Sequence, residues 1–307
     1  MKTLIGIVTF GNLPFTQLTL NELRRTTQSP VDYRVIVGQP GDSATAAWLR
    51  REGFPLRCHF TNRGFPASLN DLWDEANGGG YDNLILCGND VIPYPGAVDA
   101  MIAEAARGVW EWICASQFDA KSLVARYPAA RQFFTGEELR FTDFTARPWE
   151  LHQSQIPPPR TEPGALKDVQ NLCLFRRSVW EKLGYFDANF WPNGYFSDND
   201  YARRAHLIGV RACGLAHAAY FHFWSRTIHQ GEARPNGSYF ARNSAYYDAK
   251  WGGQPEGEQW AVPFAGQSYE LPGSRNGPTG QLLLPPTVRQ PTRADEALLV
   301  RYWQSQG

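Results

Sequence analysis

Residues 84–90 read Leu-Ile-Leu-Cys-Gly-Asn-Asp, an apolar, β-rich run that delivers Asp90, behind Asn89, to its carboxyl end. A lone Asp in that place is as often a turn former as a ligand. Its company changes the reading. A glycine-bearing turn at Thr9-Phe10-Gly11 and an Asn62-Arg63-Gly64 loop supply further polar chain ends. Together they suit a diphosphate bridged by a hard divalent cation, which takes oxygen ligands from one or two carboxylates plus the phosphates. A second acidic stretch, Ser197-Asp198-Asn199-Asp200, precedes a helical pattern over 200–208. Asp198 there precedes the helix, while Asp200 reads as the helix N-cap. His222 lies in an aromatic run with Tyr220, Phe221, Phe223 and Trp224. On residue types alone it is a hydrogen-bonded core histidine.

The elements that must carry these groups are legible in the first 116 residues. Short apolar runs at 3–10, 33–37, 56–60, 84–87 and 110–115 read as strands. They alternate with helical patterns at 15–28, 44–51, 66–76 and 96–107, and Asp42 is placed to cap the second helix. Such alternation predicts a mainly parallel sheet with right-handed crossovers. Ligands of these sheets sit beyond the carboxyl ends of the strands. Residues 9–11, 38–39, 62–64 and 89–90 should therefore face one crevice. Residues 118–163 show no clean period. Structure resumes at 169–175, 178–183, 200–208 and 218–223. Beyond Gly253 the chain turns rich in Pro, Gly and Gln, the pattern of an arm.

Thirty basic and thirty acidic side chains cancel in 307 residues, which argues against a free-standing electrostatic nucleic-acid binder. No apolar run approaches the ~18 residues of a membrane span. The five cysteines are isolated and odd in number, with no CxxC pair, as expected of reduced thiols in the cytoplasm.

Gly184, Phe186, Asp187 and Phe190, followed by Asp198, Asp200 and Arg204, carry a resemblance. In this order they resemble the GxFDxxF and EDxDxxxR stretches of the family 2 glycosyltransferases, with Ser197 where that family commonly has Glu. Asn62, Gly64 and Asn70, the Asn89-Asp90 pair, His222 with Ser225 and Thr227, and Asn243, Tyr246, Tyr247 and Lys250 to Gly253 extend the likeness over about residues 3–253. The resemblance implies a GT-A α/β fold, a mainly parallel sheet flanked by helices, with an irregular C-terminal arm. It implies a domain over 1–253, with a nucleotide-sugar half at 1–116 and an acceptor half at 117–253, and an extension over 254–307 through which copies could associate. It further implies a Mn²⁺- or Mg²⁺-dependent, inverting transfer from a nucleotide-diphosphate sugar, by default a UDP-sugar, to a hydroxyl acceptor of unspecified class. Thr9, Phe10, Gly11, Gln39, Asn62, Gly64, Asn70 and Asn89 would bind the donor, and Asp90 and His222 the metal. Asp198 would be the base, and Trp191 and Asp200 would lie on the acceptor. One departure concerns the base of the nucleotide: Gly38-Gln39 stands where many members carry Asp. A nucleotidyltransferase of related fold and an inactive sugar-binding protein are the rival readings.

Overall fold

The computed structural model describes residues 1–135, 140–141, 147–164, 169, 171–223 and 237–266. In chain order the elements are β1 (Thr3–Thr9), α1 (Leu13–Thr26), β2 (Asp32–Val37), α2 (Ser43–Arg51), β3 (Leu56–Cys58), α3 (Phe65–Gly78), β4 (Asn83–Gly88), β5 (Val91–Pro93), α4 (Ala97–Ala106) and β6 (Trp112–Asp119). There follow α5 (Ala120–Arg126), β7 (Phe134–Thr135), β8 (Arg140–Phe141), β9 (Thr161–Pro163), β10 (Leu172–Arg176), α6 (Arg177–Leu183), α7 (Ser197–Leu207), β11 (Ala212–His222) and α8 (Gly237–Trp251).

Alternation along the strands explains the layers. In β4, Leu84 and Leu86 face one side of the sheet and Ile85 and Cys87 the other, and both sides are buried. The first side packs against α3, α6, α7 and α8 through Trp73, Trp180, Tyr201 and Trp251. The second packs against α1, α2 and α4 through Leu20, Trp48 and Met101. Asp42 caps α2 as expected, its side chain accepting from Thr45 N at 3.1 Å.

The nine-stranded sheet runs β3-β2-β1-β4-β10-β6-β11-β5, with β9 added beside β11. It is mainly parallel, as the alternation predicts. The difference lies in its centre, where β10 is inserted antiparallel between β4 and β6. β5, which the sequence pattern did not show, leaves the end of β4 and pairs antiparallel with the last residues of β11. Through that pairing His222 stands opposite Val91, one residue after Asp90.

A third cluster, with Phe15, Tyr94, Leu123, Trp149, Phe221 and Phe223, anchors the segment after α5. Arg147 clamps it to α1, its two terminal nitrogens each 2.9 Å from a Glu22 carboxylate oxygen. Within it the buried His152 ring stacks on Phe118 at 4.6 Å. Packing also continues past Gly253. Gln259 and Trp260 donate their backbone N–H groups to Trp251 O at 3.1 and 3.0 Å, and Phe264 is buried in the same core as Tyr246. Residues 254–266 of the expected extension thus pack on the rest of the domain; residues 267–307 lie outside the described part. All five cysteines are free thiols, and no helix among the described residues is long and apolar enough to cross a membrane.

Two outcomes follow from this packing. Phe264→Ala should lower stability to urea by about 3 kcal/mol, the range for truncating a buried aromatic; an unchanged midpoint would mean that the segment past 253 adds nothing to the core. Burial, then the nearby Arg126 charge, lowers the pKa of His152. The folded state thus resists a proton that the unfolded chain binds near pH 6.5, so this contribution is full above that pH and declines below it. His152→Phe keeps the stacked ring, and its melting temperature should fall less than that of the natural protein between pH 7.5 and 5.5.

Candidate active site

The carboxyl ends of β1, β2 and β4 bring together the first group of residues. The left-handed turn at Gly11 (φ +67°) sits so close to Gln39 that a Cβ there would lie 2.6 Å from Gln39 Oε1. Thr9 turns inward, its hydroxyl 2.9 Å from Gly11 O and 2.8 Å from the Thr16 hydroxyl. The Asn89 amide donates to the same two hydroxyls at 3.4 and 3.3 Å. Thr9 and Asn89 therefore lock the two strand ends together, and Phe10, Gly11 and Gln39 are the partly open groups beside them.

At the end of β4, Asp90 Oδ1 lies 3.3 Å from His222 Nε2. Both residues are buried. The imidazole is oriented from behind: Nδ1 is 3.2 Å from Gln117 Oε1 and 3.3 Å from Asn171 Nδ2. Gln117 Oε1 can only accept, and it also takes the Tyr220 hydroxyl at 3.0 Å. A proton on Nδ1 donated to Gln117 leaves the Nε2 lone pair facing a carboxylate, an arrangement that a cation stabilises. The spacing agrees: two ligand bonds of ~2.1 Å meeting at about 90–110° place their atoms about 3.0–3.4 Å apart. Carboxylate and imidazole together suit a divalent transition metal such as Mn²⁺. Among the described residues no group of three or more His, Cys, Asp or Glu could hold a metal. Were a cation held by this pair, most of its ligands would have to come from elsewhere.

The loop before α3 and the loop before α7 form one unit. Asn62 Oδ1 accepts from Gly64 N at 2.9 Å. Phe65 N donates to Pro192 O at 2.8 Å, and a Cβ on Gly64 (φ +80°) would strike Trp191 Cδ1 at 2.6 Å. Trp191 is only 9% exposed; its Nε1 is 3.4 Å from Asn62 O and its ring meets Tyr239 edge-on at 5.7 Å. It packs the loop at the place where the resemblance would set it on the acceptor. Asn70 donates to Phe186 O at 2.9 Å and accepts from Phe186 N at 2.8 Å, clasping the Gly184–Asp187 backbone from α3.

The two acids of α7 part company. The helix begins at Ser197, with Phe196 in the N-cap place, so Asp200 is not the cap expected from sequence. Asp200 is wholly buried. Its Oδ1 accepts from Lys250 Nζ at 2.7 Å and from Trp251 Nε1 at 2.9 Å, and its Oδ2 from Arg204 Nε at 3.0 Å. Lys250 Nζ also reaches Asp187 Oδ2 at 2.7 Å, where the Tyr246 hydroxyl adds a bond of 2.8 Å. Arg204 completes its fork on Leu183 O and Tyr185 O at 3.2 and 3.0 Å. An acid so enclosed does not reach an acceptor. Asp198, in the first turn of the same helix, stays partly exposed, with Oδ1 2.9 Å from Asn199 N. Negative charge is favoured at that end of a helix. Ser225 and Thr227 lie outside the described residues.

No protein-family model matches the chain, and no curated protein sequence does. Solved structures do. The 1–349 fragment of TarS from S. aureus superposes with a TM-score of 0.52 at 13% identity, over 75% of this chain and 62% of that one. GalNAc-T7 with UDP, GalNAc and Mn²⁺ gives 0.55 at 10% identity, over 82% and 48%. The TarS fragment in complex with UDP-GlcNAc gives 0.52 at 12% identity, over 76% and 60%. This is the GT-A glycosyltransferase fold. The GT-A-like chain thus spans about half to three fifths of the length of the chains it matches, and at these identities the likeness is one of architecture.

The ionic cluster beneath α7 of this GT-A-like chain yields a direct expectation. Lys250→Met keeps the stem and removes the charge, leaving two buried carboxylates against one guanidinium. Breaking such a network costs about 3–5 kcal/mol. Urea unfolding should show a loss of that size, whereas a variant within ~0.5 kcal/mol of the natural protein would mean that solvent reaches the cluster.

Proposed function

We propose that this protein is a metal-dependent glycosyltransferase that moves a sugar from a nucleotide-diphosphate sugar, by default a UDP-sugar, to a hydroxyl acceptor, with inversion at the anomeric carbon. The observation that carries the reading is the Asp90–His222 pair, 3.3 Å apart at the strand ends of a GT-A fold. Asp90 and His222 would hold a divalent cation, which supplies positive charge to the departing diphosphate. Gln117 and Asn171 orient the imidazole for that task. Phe10, Gly11 and Gln39 would receive the nucleoside, and Thr9 and Asn89 would keep the two strand ends in register beneath it. Asn62, Gly64 and Asn70 would act on the donor through the loop that they shape. Asp198 would take the acceptor's proton in a single displacement: the hydroxyl oxygen bonds to the anomeric carbon as the bond to the diphosphate breaks, and the proton ends on the carboxylate. UDP, GalNAc and UDP-GlcNAc in the neighbours support a nucleotide-sugar donor, and Mn²⁺ in one of them supports the metal. The five free thiols support a reducing compartment, the cytoplasm.

Hydrolysis and binding of a panel of nucleotide sugars with and without Mn²⁺ test the reading; a natural protein that neither binds nor hydrolyses any of them would sink it. With a donor in hand, Asp198→Asn should leave donor affinity intact and lower transfer at saturating substrate by roughly 10² to 10⁴. Asp90→Ala should abolish the metal-dependent part of donor binding, and His222→Ala should weaken it. Near-natural transfer by Asp198→Asn would move the base elsewhere.

A further inference from the structure

Trp191 is buried, but other aromatic rings around the same loop are not. Phe240, in the first turn of α8, is 52% exposed, and Phe65, at the start of α3, is 43% exposed. The 194–195 segment lies between them, with Tyr195 half-buried. Its ring lies 5.3 Å from that of Phe240, nearly edge-on at 74°. Its neighbour Gly194 abuts Phe65, whose Cδ1 would be 2.8 Å from a Cβ built there. Phe196 supports Phe240 from below at 5.2 Å. The two exposed rings thus flank the 194–195 segment at the amino-terminal ends of α3, α7 and α8. Tyr195 stands three residues before Asp198, the proposed base.

Exposed aromatic surface is costly to keep in water and marks a binding site when it is contiguous. Its composition points to the occupant. Phe65 and Phe240 are exposed and Tyr195 is half-buried beside Phe240; all three are rings, and one carries a hydroxyl. Flat apolar faces with a polar tip match the alternating C–H faces and hydroxyl edges of a pyranose better than the chains of a lipid. The area is also too small for a partner subunit. Rings burying about 150–250 Å² each when fully covered, here half open, offer roughly 300 Å², against about 800 Å² per side in a stable interface.

We propose that Phe65, Tyr195 and Phe240 form a carbohydrate platform, so that the acceptor is a glycan whose sugar ring stacks beside Asp198. This inference rests on the transferase reading for the role of the sugar as acceptor, but the platform itself can be tested without turnover. Chitotriose, cellotriose and mannotriose would be titrated into the full chain by calorimetry. At least one should bind, and Phe240→Ala and Tyr195→Ala should each weaken it about tenfold, a change of the size of one lost ring contact. Phe240→Trp should restore binding. Leu151→Ala, which trims an exposed apolar side chain on another segment, should leave it unchanged, and melting temperatures would certify that each variant is folded. Oligosaccharide binding that depends on Phe240 in a protein inert to every nucleotide sugar would uphold the platform and overturn the transferase. Donor hydrolysis without binding of any of the three, binding indifferent to Phe240, or Phe240-dependent binding of phosphatidylglycerol vesicles instead would overturn the platform.

Discussion

The molecule is organised around two buried cations that hold two buried anions. Asp187, Asp200, Arg204 and Lys250 are all closed to solvent, and their formal charges cancel. None could be ionised there alone, because taking a single charge out of water costs several kcal/mol beyond what a neutral hydrogen bond returns. Each partner is therefore required by the others, and the four come from three pieces of chain: Asp187 from the loop after α6, Asp200 and Arg204 from α7, and Lys250 from the last turn of α8. Trp251 and Tyr246 donate to the carboxylates from α8 as well. The network therefore specifies how these elements meet, a stricter demand than the apolar contacts around it make.

Other parts of the site take their position from that junction. The Gly184–Asp187 segment is held at one end by Arg204, which takes Leu183 O and Tyr185 O, and at the other by Asn70 on α3. Between them Phe186 lies flat on Tyr201, with ring centroids 4.0 Å apart, and the Trp73 indole donates to Gly184 O at 3.3 Å. The same loop continues into Trp191 and Pro192, which close on Asn62 and Phe65. The helix that bears Asp198 and the loop that meets Asn62 are thus two ends of one clamped segment. A rigid mounting of this kind is what a base needs if it is to meet a hydroxyl within hydrogen-bond reach.

Much of the first half of this architecture could be read from residues alone, because strands buried on both faces are continuous apolar runs and their helices are amphipathic. Asp42 was legible as a cap for the same local reason. The insertion of β10 between β4 and β6 was not, since strand direction leaves no trace in a strand's own composition. β5 is three residues long, too short to show a period. β11 begins at Ala212, earlier than the aromatic run suggests, because its first half is built of small residues such as Ala212, Gly214 and Ala216. At the site, the residue types were legible and their depth was not. Nothing local to Asp200 announces that Lys250, fifty positions later, will sit against it, so the capping role that its neighbours suggested gave way to a long-range ion pair. The depth of Trp191 was equally illegible, since it is set by the close approach of Gly64 from a distant loop.

The spacing of the two acids then becomes intelligible. An α-helix turns by about 100° per residue, so positions two apart point in directions about 200° different. With Asp200 drawn into the ionic core, Asp198 must lie close to the opposite side of the helix, away from that core. An intervening distance of three or four residues would have put both acids on the buried side, where the second would have had no cation of its own. The acid at 200 is thus the reason that the acid at 198 stays partly open, and the D-x-D spacing carries a division of labour. One carboxylate is tied to cations to hold the helix start in place, and the other is presented from it.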